Sequence, residues 1–373
     1  MTSTFWSSLP IAENDSSPEG IISRKPPFQL SLARVKIDDN KIGKIIVDEE
    51  ITKEDMYFIL ENGTSSSGNS FLLDPKLGKN NVIVKLKDEK ETLLGFIFSI
   101  PCSLFLKKKD GDEIIDTGMT THLSVSNQYR NKELAKYLIA GVIDYGFHHS
   151  IYTGYHFIEN PKSASNILVM NYYRPLNIES AIEYGYQIPS MKDKDVFYSL
   201  EKYPSEKQLR KLIEEYSVAE YSEYEMRPST FSDLSFLQSR ERKISMVFSP
   251  TRFEELKHSL TFYTFWKGSR IVGLVIYKTM ILHIGKIQKS CPIAQIGLLE
   301  MNEKYCVPIL SNLFCHLNEK RYAIVSGVQF GELTSVSLRN RFGFITCGIQ
   351  YLDFYNLKIS MKQNPAKLNL LYL

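Results

Sequence analysis

The sequence is poor in features that announce a chemistry by themselves. Its five cysteines, Cys102, Cys291, Cys306, Cys315 and Cys347, are odd in number and include no CxxC pair. That argues against a disulfide framework and against a zinc ribbon or finger. None of the seven histidines forms a ligand cluster with cysteines or carboxylates at useful spacing, so no metal is implied. Charge of one sign does not prevail either. The 45 basic and 42 acidic side chains leave a formal charge of +3, without the basic stripe of a nucleic-acid binder. No apolar run approaches the roughly 18 residues of a membrane span, and MTSTFWSSLP lacks the charged start and apolar stretch of a signal peptide. The expectation is a reducing, cytoplasmic setting, no membrane span, and a mature chain beginning near Met1.

What the chain does have is apolar and aromatic mass. Hydrophobic residues make up 43% and aromatics 12%, with 22 Tyr and 21 Phe, which suits a large interior with polar handles at its edges. A length of 373 residues points to two or three domains. The longest basic run, Lys107 to Lys109, is followed at once by Asp110, Gly111, Asp112 and Glu113, and reads as a solvated hairpin tip.

The first 30 or so residues carry Ser, Pro and charge without periodicity, and read as an extended arm anchored by Phe5 and Trp6. ITKEDMYFILEN places Met56, Ile59 and Leu60 on one helical face, ended by Gly63. NNVIVKL and LLGFIFSIPCSLFL read as a hairpin joined by the charged turn KDEKE. The strand MTTHLSVS, the helix ELAKYLIAGVIDYGFHH, a short strand near 151–155 and a helix over SASNILVMNYYRPL follow. The second half repeats this order. A helix candidate at FSDLSFLQS precedes the strands LTFYTFWKG, RIVGLVIYK and IAQIGLLEM; then come the helix CVPILSNLFCHLNEK, the strand YAIVSGV and the helix SVSLRNRF. LLGFIFSI and RIVGLVIY occupy equivalent places, which suggests two similar α+β units with a boundary near KYPSEKQ.

The most informative stretch is LSVSNQYRNKELAKYLI, at residues 123–139. A strand that stops, a short polar loop and a helix start aim backbone N–H groups and the positive end of the helix dipole at one point, where a phosphate is held. Arg130 and Lys132 add charge there, and Asn131 tolerates a turn conformation. By itself the stretch reads equally as a plain strand-to-helix junction. Q/R-x-x-G-x-G/A at such a junction is the coenzyme A pyrophosphate loop of N-acetyltransferase-like (GNAT) folds, here without its glycines.

Six motifs, in order, resemble those of the N-myristoyltransferase family. TFWSSLP (4–10) is similar to the family's FW...QP arm, GFIFSIP (95–101) to GFIxxIP, and LSVSNQYRNKELA (123–135) to LCVHKKLRSKRLA. IYTGY (151–155) resembles VYTAG, YYRPLNIESAIEYGY (172–186) resembles YWHRSLNxxKLIExxF, and RFGFITCGIQYLDFYNL resembles KFGIGDGNLQYYLYNW. The similarity runs almost end to end.

The resemblance implies an α+β fold built as a tandem, pseudo-twofold pair of GNAT units in one compact body. Residues 1–203 would bind acyl-CoA and 204–373 the peptide. It implies transfer of a myristoyl group from myristoyl-CoA, a co-substrate, to the N-terminal glycine of a protein or peptide by a monomer with no prosthetic group. Phe5 and Trp6 would fold over the nucleotide. Leu123, Val125, Arg130, Asn131, Lys132, Leu134 and Ala135 would hold the coenzyme, and Phe71, Tyr152 and Tyr173 the peptide. The backbone N–H groups of His122 and Leu123 would polarise the thioester carbonyl, an effect of about 3 kcal/mol per donor. The Leu373 carboxylate would take the proton of the attacking amine, with Thr153 nearby, and the apolar LNLLYL would thread the tail into the core.

Departures from the family fall on the peptide side. NGTSSSGNS (62–70) replaces an acidic loop, Pro75 a tyrosine, Tyr173 a histidine, and the segment Thr346 to Gln350 loses an aspartate. Glu133 and Lys136 replace Arg and Pro in the coenzyme loop. Two alternatives therefore stay open: a catalytically silent acyl-CoA or acyl-glycine binding protein, and a GNAT-type acyltransferase for another amine.

Overall fold

The computed structural model describes residues 19–25, 27, 31–38, 40–48, 50–62, 70–71, 81–158, 167–183, 207, 210–211, 213–214, 221–284, 289–331, 341–359 and 364–372. In chain order the first elements are β1 (Val35–Asp38), β2 (Lys41–Asp48), α1 (Lys53–Asn62), β3 (Val82–Asp88), β4 (Leu93–Leu106), β5 (Glu113–Val125), α2 (Ala135–His148) and β6 (Thr153–Ile158). Neighbouring strands from β1 to β5 pair antiparallel, and β6 lies parallel to β5. Ile83, Val84, Leu86, Phe96, Phe98 and Ile100 are fully buried, as near-continuous apolar runs require when a sheet is covered on both faces.

The KDEKE turn closes because Asp88 Oδ1 accepts from the N–H groups of Lys90 (3.0 Å) and Thr92 (2.8 Å). The 107–112 segment is the tip of the β4–β5 hairpin, with Lys108 Nζ 2.9 Å from Glu113 Oε2. Leu134 and Leu138 at the start of α2 join Val84, Leu86, Leu94 and Ile97 in one core. Gly95 permits this approach, since a Cβ there would stand 2.8 Å from Leu138 Cδ1.

The chain continues through β7 (Ile167–Pro175), β8 (Ile244–Val247), α3 (Pro250–Leu256), β9 (Thr261–Lys267), β10 (Arg270–Ile284), β11 (Lys289–Met301), α4 (Cys306–Glu319), β12 (Ile324–Val328), β13 (Ile345–Tyr355) and β14 (Leu368–Asn369). β9, β10 and β11 are successively antiparallel, and β12 is parallel to β11. Ile309, Leu310, Leu313, Phe314 and Leu317 of α4 are fully buried against Val272, Val275, Ile296 and Leu299. The order β3–β4–β5–α2–β6 thus recurs as β9–β10–β11–α4–β12, and this is the duplication the sequence suggests.

Two compact units result. The first is Met1–Ile167, Met246–Ser259 and Tyr351–Gln363, and the second is Leu168–Ser245, Leu260–Gln350 and Asn364–Leu373. The interleaving has a concrete cause. β6 takes its second neighbour from β13, with Tyr355 opposite Gly154 and Tyr351 opposite Ile158, while β12 takes its second neighbour from β7. Each unit is completed by a strand from the other half of the sequence. The expected cut between 203 and 204 lies outside the described residues.

One expected helix is a strand. SASNILVMNYYRPL contains β7, antiparallel to β12 from Ile324 opposite Pro175 to Val328 opposite Asn171. Its apolar residues can be drawn on a helical face, but the segment pairs with β12, and β-branched and aromatic side chains such as Ile167, Val169 and Tyr172, all buried, suit a pleated strand. The helix expected at FSDLSFLQS is a 3-10 turn, Phe231–Leu234, followed by one α turn, Ser235–Gln238. Most of SVSLRNRF lies outside the described residues. Among the described residues no helix is long and apolar enough to cross a membrane.

Candidate active site

β5 is bulged where the sequence places the two backbone donors. Phe98 pairs with Thr121 and Phe96 with Ser124, so His122 and Leu123 together oppose Ile97. His122 has φ 56°, a left-handed conformation that non-glycine residues rarely adopt and that a bulge can impose. Its ring is half-buried, with Nδ1 2.9 Å from Thr121 Oγ1 and a tilted contact with Phe98 at 6.4 Å. Leu123 is 45% exposed, unusual for a leucine in a central strand. β5 and β6 share rungs only from Thr117 opposite Thr153 to Thr120 opposite His156. Beyond Thr120, β5 stays with β4, and the bulge follows directly.

The stretch after β5 is a 3-10 turn, Asn127–Tyr129, then a loop into α2. Asn131 has φ 66° and Glu133 φ 56°. These are the two positions at which Q-x-x-G-x-G/A carries glycine, so the loop keeps the glycine conformation without glycine. The left-handed state costs an ordinary L residue about 1–2 kcal/mol, less for Asn. Lys136 N–H and Tyr137 N–H turn back to the carbonyls of Glu133 and Leu134, and no side chain caps the helix. Alternating left-handed residues leading into an uncapped helix N-terminus form a concavity of positive backbone dipoles.

The side chains around it have distinct fates. Leu134 is buried at 1% exposure and Val125 packs on the same core, so Leu134 brings its main chain to the loop rather than its side chain. Arg130, Asn131 and Lys132 are exposed, and Ala135 is half-buried. Arg130 Nη2 donates to the Asn62 carbonyl at 2.7 Å. Glu133 pairs with Lys136 at 2.7 Å. On the opposite side Tyr129 OH accepts from Lys41 Nζ at 2.8 Å, and Lys41 pairs with Asp88 at 2.8 Å. Burial would push the Asp88 carboxyl up, but hydrogen bonds from Lys41 and from the Thr92 and Lys90 amides outweigh it and hold it below its usual range. Lys41 is raised correspondingly, chiefly by its hydrogen bond to Asp88.

The remaining expected residues are spread more widely. Thr153 is buried, donates its hydroxyl to the Asp116 carbonyl at 3.1 Å, and is level with Thr117. Five residues of strand, at about 3.3 Å each, separate that level from the bulge, so Thr153 is not brought to His122 and Leu123. Tyr152 is half-buried, edge-on to Phe147 at 5.3 Å and beneath the Arg24 guanidinium at 5.1 Å. Its carbonyl accepts from Asn356 Nδ2 at 2.8 Å. Tyr173 stands on β7 opposite Ser326, in the second unit. Phe71 ends a two-residue strand, Ser70–Phe71. Phe5, Trp6 and Leu373 lie outside the described residues. Cys102, opposite Thr117, is not a nucleophile: burial pushes its thiol up to about 12.

The apolar tail is buried as expected, Leu368, Leu370 and Leu371 at no more than 1% exposure. Leu368 and Asn369 pair parallel with Ile244 and Ser245. Glu300, fully buried, accepts from Arg240 Nε (2.9 Å), Arg242 Nη2 (2.8 Å), Arg242 Nε (2.9 Å) and Asn369 Nδ2 (2.9 Å). Arg242 Nη1 also donates to the Ala366 carbonyl at 2.8 Å, and Tyr372 N–H to Gly297 at 2.9 Å.

Two residues escape the sequence reading. Asn62, next to the helix-ending Gly63, carries only a helix-end signal. His156, on the last rung shared with β5 and with Nε2 3.8 Å from Asp353 Oδ2, carries none.

Three antiparallel strands, a helix and a strand parallel to the third, with a bulge before the loop and made twice, define an α+β fold of N-acetyltransferase-like type. Comparison with solved structures sharpens this: the chain has the fold of Saccharomyces cerevisiae N-myristoyltransferase. Two structures of that enzyme with bound myristoyl-CoA match 99% of this chain and 94% of theirs, with TM-scores of 0.69 and 0.70 at 15% and 13% sequence identity. A third, also with myristoyl-CoA, gives 0.67 at 14% identity over 96% and 93%. No family model matches the sequence, and no curated protein matches it.

Proposed function

We propose that the protein transfers a fatty-acyl group from a coenzyme A thioester to an amine, in its most specific form myristoyl to an N-terminal glycine. The observation that carries this is the pairing, in one unit, of a bulge at His122–Leu123 with a left-handed loop at Asn131 and Glu133 feeding an uncapped helix. Both fall on the residues that the motif resemblance singles out.

In the reaction the amine nitrogen attacks the thioester carbonyl carbon, a C–N bond forms and the C–S bond breaks. The coenzyme leaves as thiolate and is protonated, and the amine gives up its proton to a base. The loop and the start of α2 hold the pyrophosphate. The N–H groups of His122 and Leu123 stabilise the oxyanion. The second unit receives the peptide.

The test is amide formation from myristoyl-CoA by purified protein with a mixed library of Gly-starting peptides, including peptides without basic residues. Amidated peptide is expected. Loss of product in His156→Ala, with myristoyl-CoA binding kept, assigns the base to His156. Binding of myristoyl-CoA without any product overturns transfer and leaves a binding protein. Equal turnover of acetyl-CoA overturns the long-chain assignment.

A further inference from the structure

A loop without glycine that holds Asn131 and Glu133 at positive φ needs something other than its own sequence to hold it there. Its internal bonds are few: Tyr129 N–H to Ser126 and Lys132 N–H to Tyr129, with Ser126 N–H tied outward to the Leu94 carbonyl of β4. Its ties to α1 centre on Asn62, the last residue of that helix and only 9% exposed. Asn62 Oδ1 accepts from Asn127 N–H at 2.9 Å, and its carbonyl accepts from Arg130 Nη2 at 2.7 Å. Its Nδ2 donates to the Phe58 carbonyl at 3.0 Å, which fixes the side chain, and Asn127 Nδ2 reaches Glu61 at 3.3 Å. The last carbonyls of a helix have no intrahelical partner, so the Asn62 carbonyl is open to Arg130.

α1 is a firm post for these ties. Thr52 N–H donates to Asp55 Oδ2 at 2.7 Å and Asp55 N–H to Thr52 Oγ1 at 3.2 Å, a reciprocal cap on its first turn. Asp55, 2% exposed, also pairs at 2.7 Å with Lys85 of β3, itself buried and paired with Asp48 at 2.8 Å. A continuous set of bonds therefore runs from the sheet through α1 to both ends of the 3-10 turn that opens the loop.

We infer that Asn62 is a positioning residue for the phosphate loop, imposing from a neighbouring helix the conformation that glycine would otherwise allow. The inference rests on the acyl-CoA reading above. It also recasts Arg130: one arm of its guanidinium braces the loop against α1, and Lys132 is the exposed cation left for phosphate.

The experiment uses the full chain, with coenzyme A and myristoyl-CoA as calorimetric probes and kcat measured at saturating myristoyl-CoA. Asn62→Leu is expected to weaken coenzyme A binding about ten-fold, the loss of the Asn127 tie and its orphaned N–H, with kcat essentially unchanged. Adding Glu133→Gly, which makes the positive φ free of strain, should restore most of that affinity. Glu133→Gly alone should change affinity less than about three-fold. Arg130→Met with and without Glu133→Gly repeats the comparison without altering α1, should Asn62→Leu fold poorly. Unchanged binding in Asn62→Leu, or a loss that glycine at 133 does not repair in either background, overturns the inference while transfer by the intact chain stands. An intact chain that binds neither probe overturns the acyl-CoA reading, and this inference with it.

Discussion

Replacing Glu300 with glutamine keeps the side-chain shape and removes its charge. Glu300 accepts from Arg240 and Arg242 through one oxygen, and from Arg242 and Asn369 through the other. An amide nitrogen cannot accept, so in either orientation two donors face an NH2 group. The Arg240 and Arg242 side chains, 24% and 13% exposed, lose the carboxylate they share. Removing one side of a buried ion cluster costs about 3–5 kcal/mol, because charge is left desolvated without its partner. The assay is urea unfolding together with amide hydrogen exchange at Tyr372, whose N–H is bonded to Gly297. Glu300→Gln should lower the unfolding free energy by that amount and speed exchange at Tyr372. Glu225→Gln, in an exposed pair with Arg227, should do neither. Joint replacement of Arg240, Arg242 and Glu300 by apolar residues of similar volume should recover much of the loss. A Glu300→Gln cost below about 1 kcal/mol, the worth of one ordinary hydrogen bond, would refute the reasoning.

The other predictions are shorter. Gly146→Ala should destabilise despite alanine's better helix propensity: its Cβ would stand 2.6 Å from the Ile151 carbonyl oxygen, a backbone atom, whereas Gly95→Ala meets only the tip of Leu138; thermal melts of both rank them. The Lys41–Asp88 tie should contribute constant stability from about pH 4 to about pH 10. It is lost in acid as pH falls through the depressed Asp88 pKa, and in alkali as pH rises through the raised Lys41 pKa. Asp88→Asn should make the acid limb of a plot of melting temperature against pH shallower by the contribution of this tie. Leu123→Pro should lower kcat about 10²–10³-fold, the effect of deleting one oxyanion donor, with myristoyl-CoA binding kept. His122→Gly retains its N–H and relieves φ 56°, so it should raise stability by about 1 kcal/mol and leave kcat within a few-fold.

What the sequence disclosed followed local physics. The β3–β4 and β9–β10 hairpins, the amphipathic α2 and α4, and the strand–loop–helix at 123–139 are all set by apolar runs bounded by turn residues. β7 escaped because NILVMNYYRPL fits a helical face until its partner β12 is known, and pairing is a tertiary fact. The positive φ at Glu133 could not be read from a residue type that usually avoids it, although Asn131 is one that tolerates it. The motif marked the place, but the Asn62 ties that accompany the conformation come from 65 and 68 residues away. Thr153 shows the converse: its motif was legible, while the β5–β6 register that sets it at the level of Thr117 was not.

The strand exchange dictates an order of assembly. During synthesis β12 emerges after β7, its borrowed neighbour, and can pair at once. β6 must wait for β13, since Asp353 lies opposite His156. Until then the first unit carries an unpaired sheet edge, the surface on which strands of other chains add. A ribosome-bound chain should therefore need protection at β6 over most of its length. For the same reason, expressing residues 1–203 alone should give a protein that aggregates through that edge, and a peptide spanning 351–358 supplied in trans should suppress it.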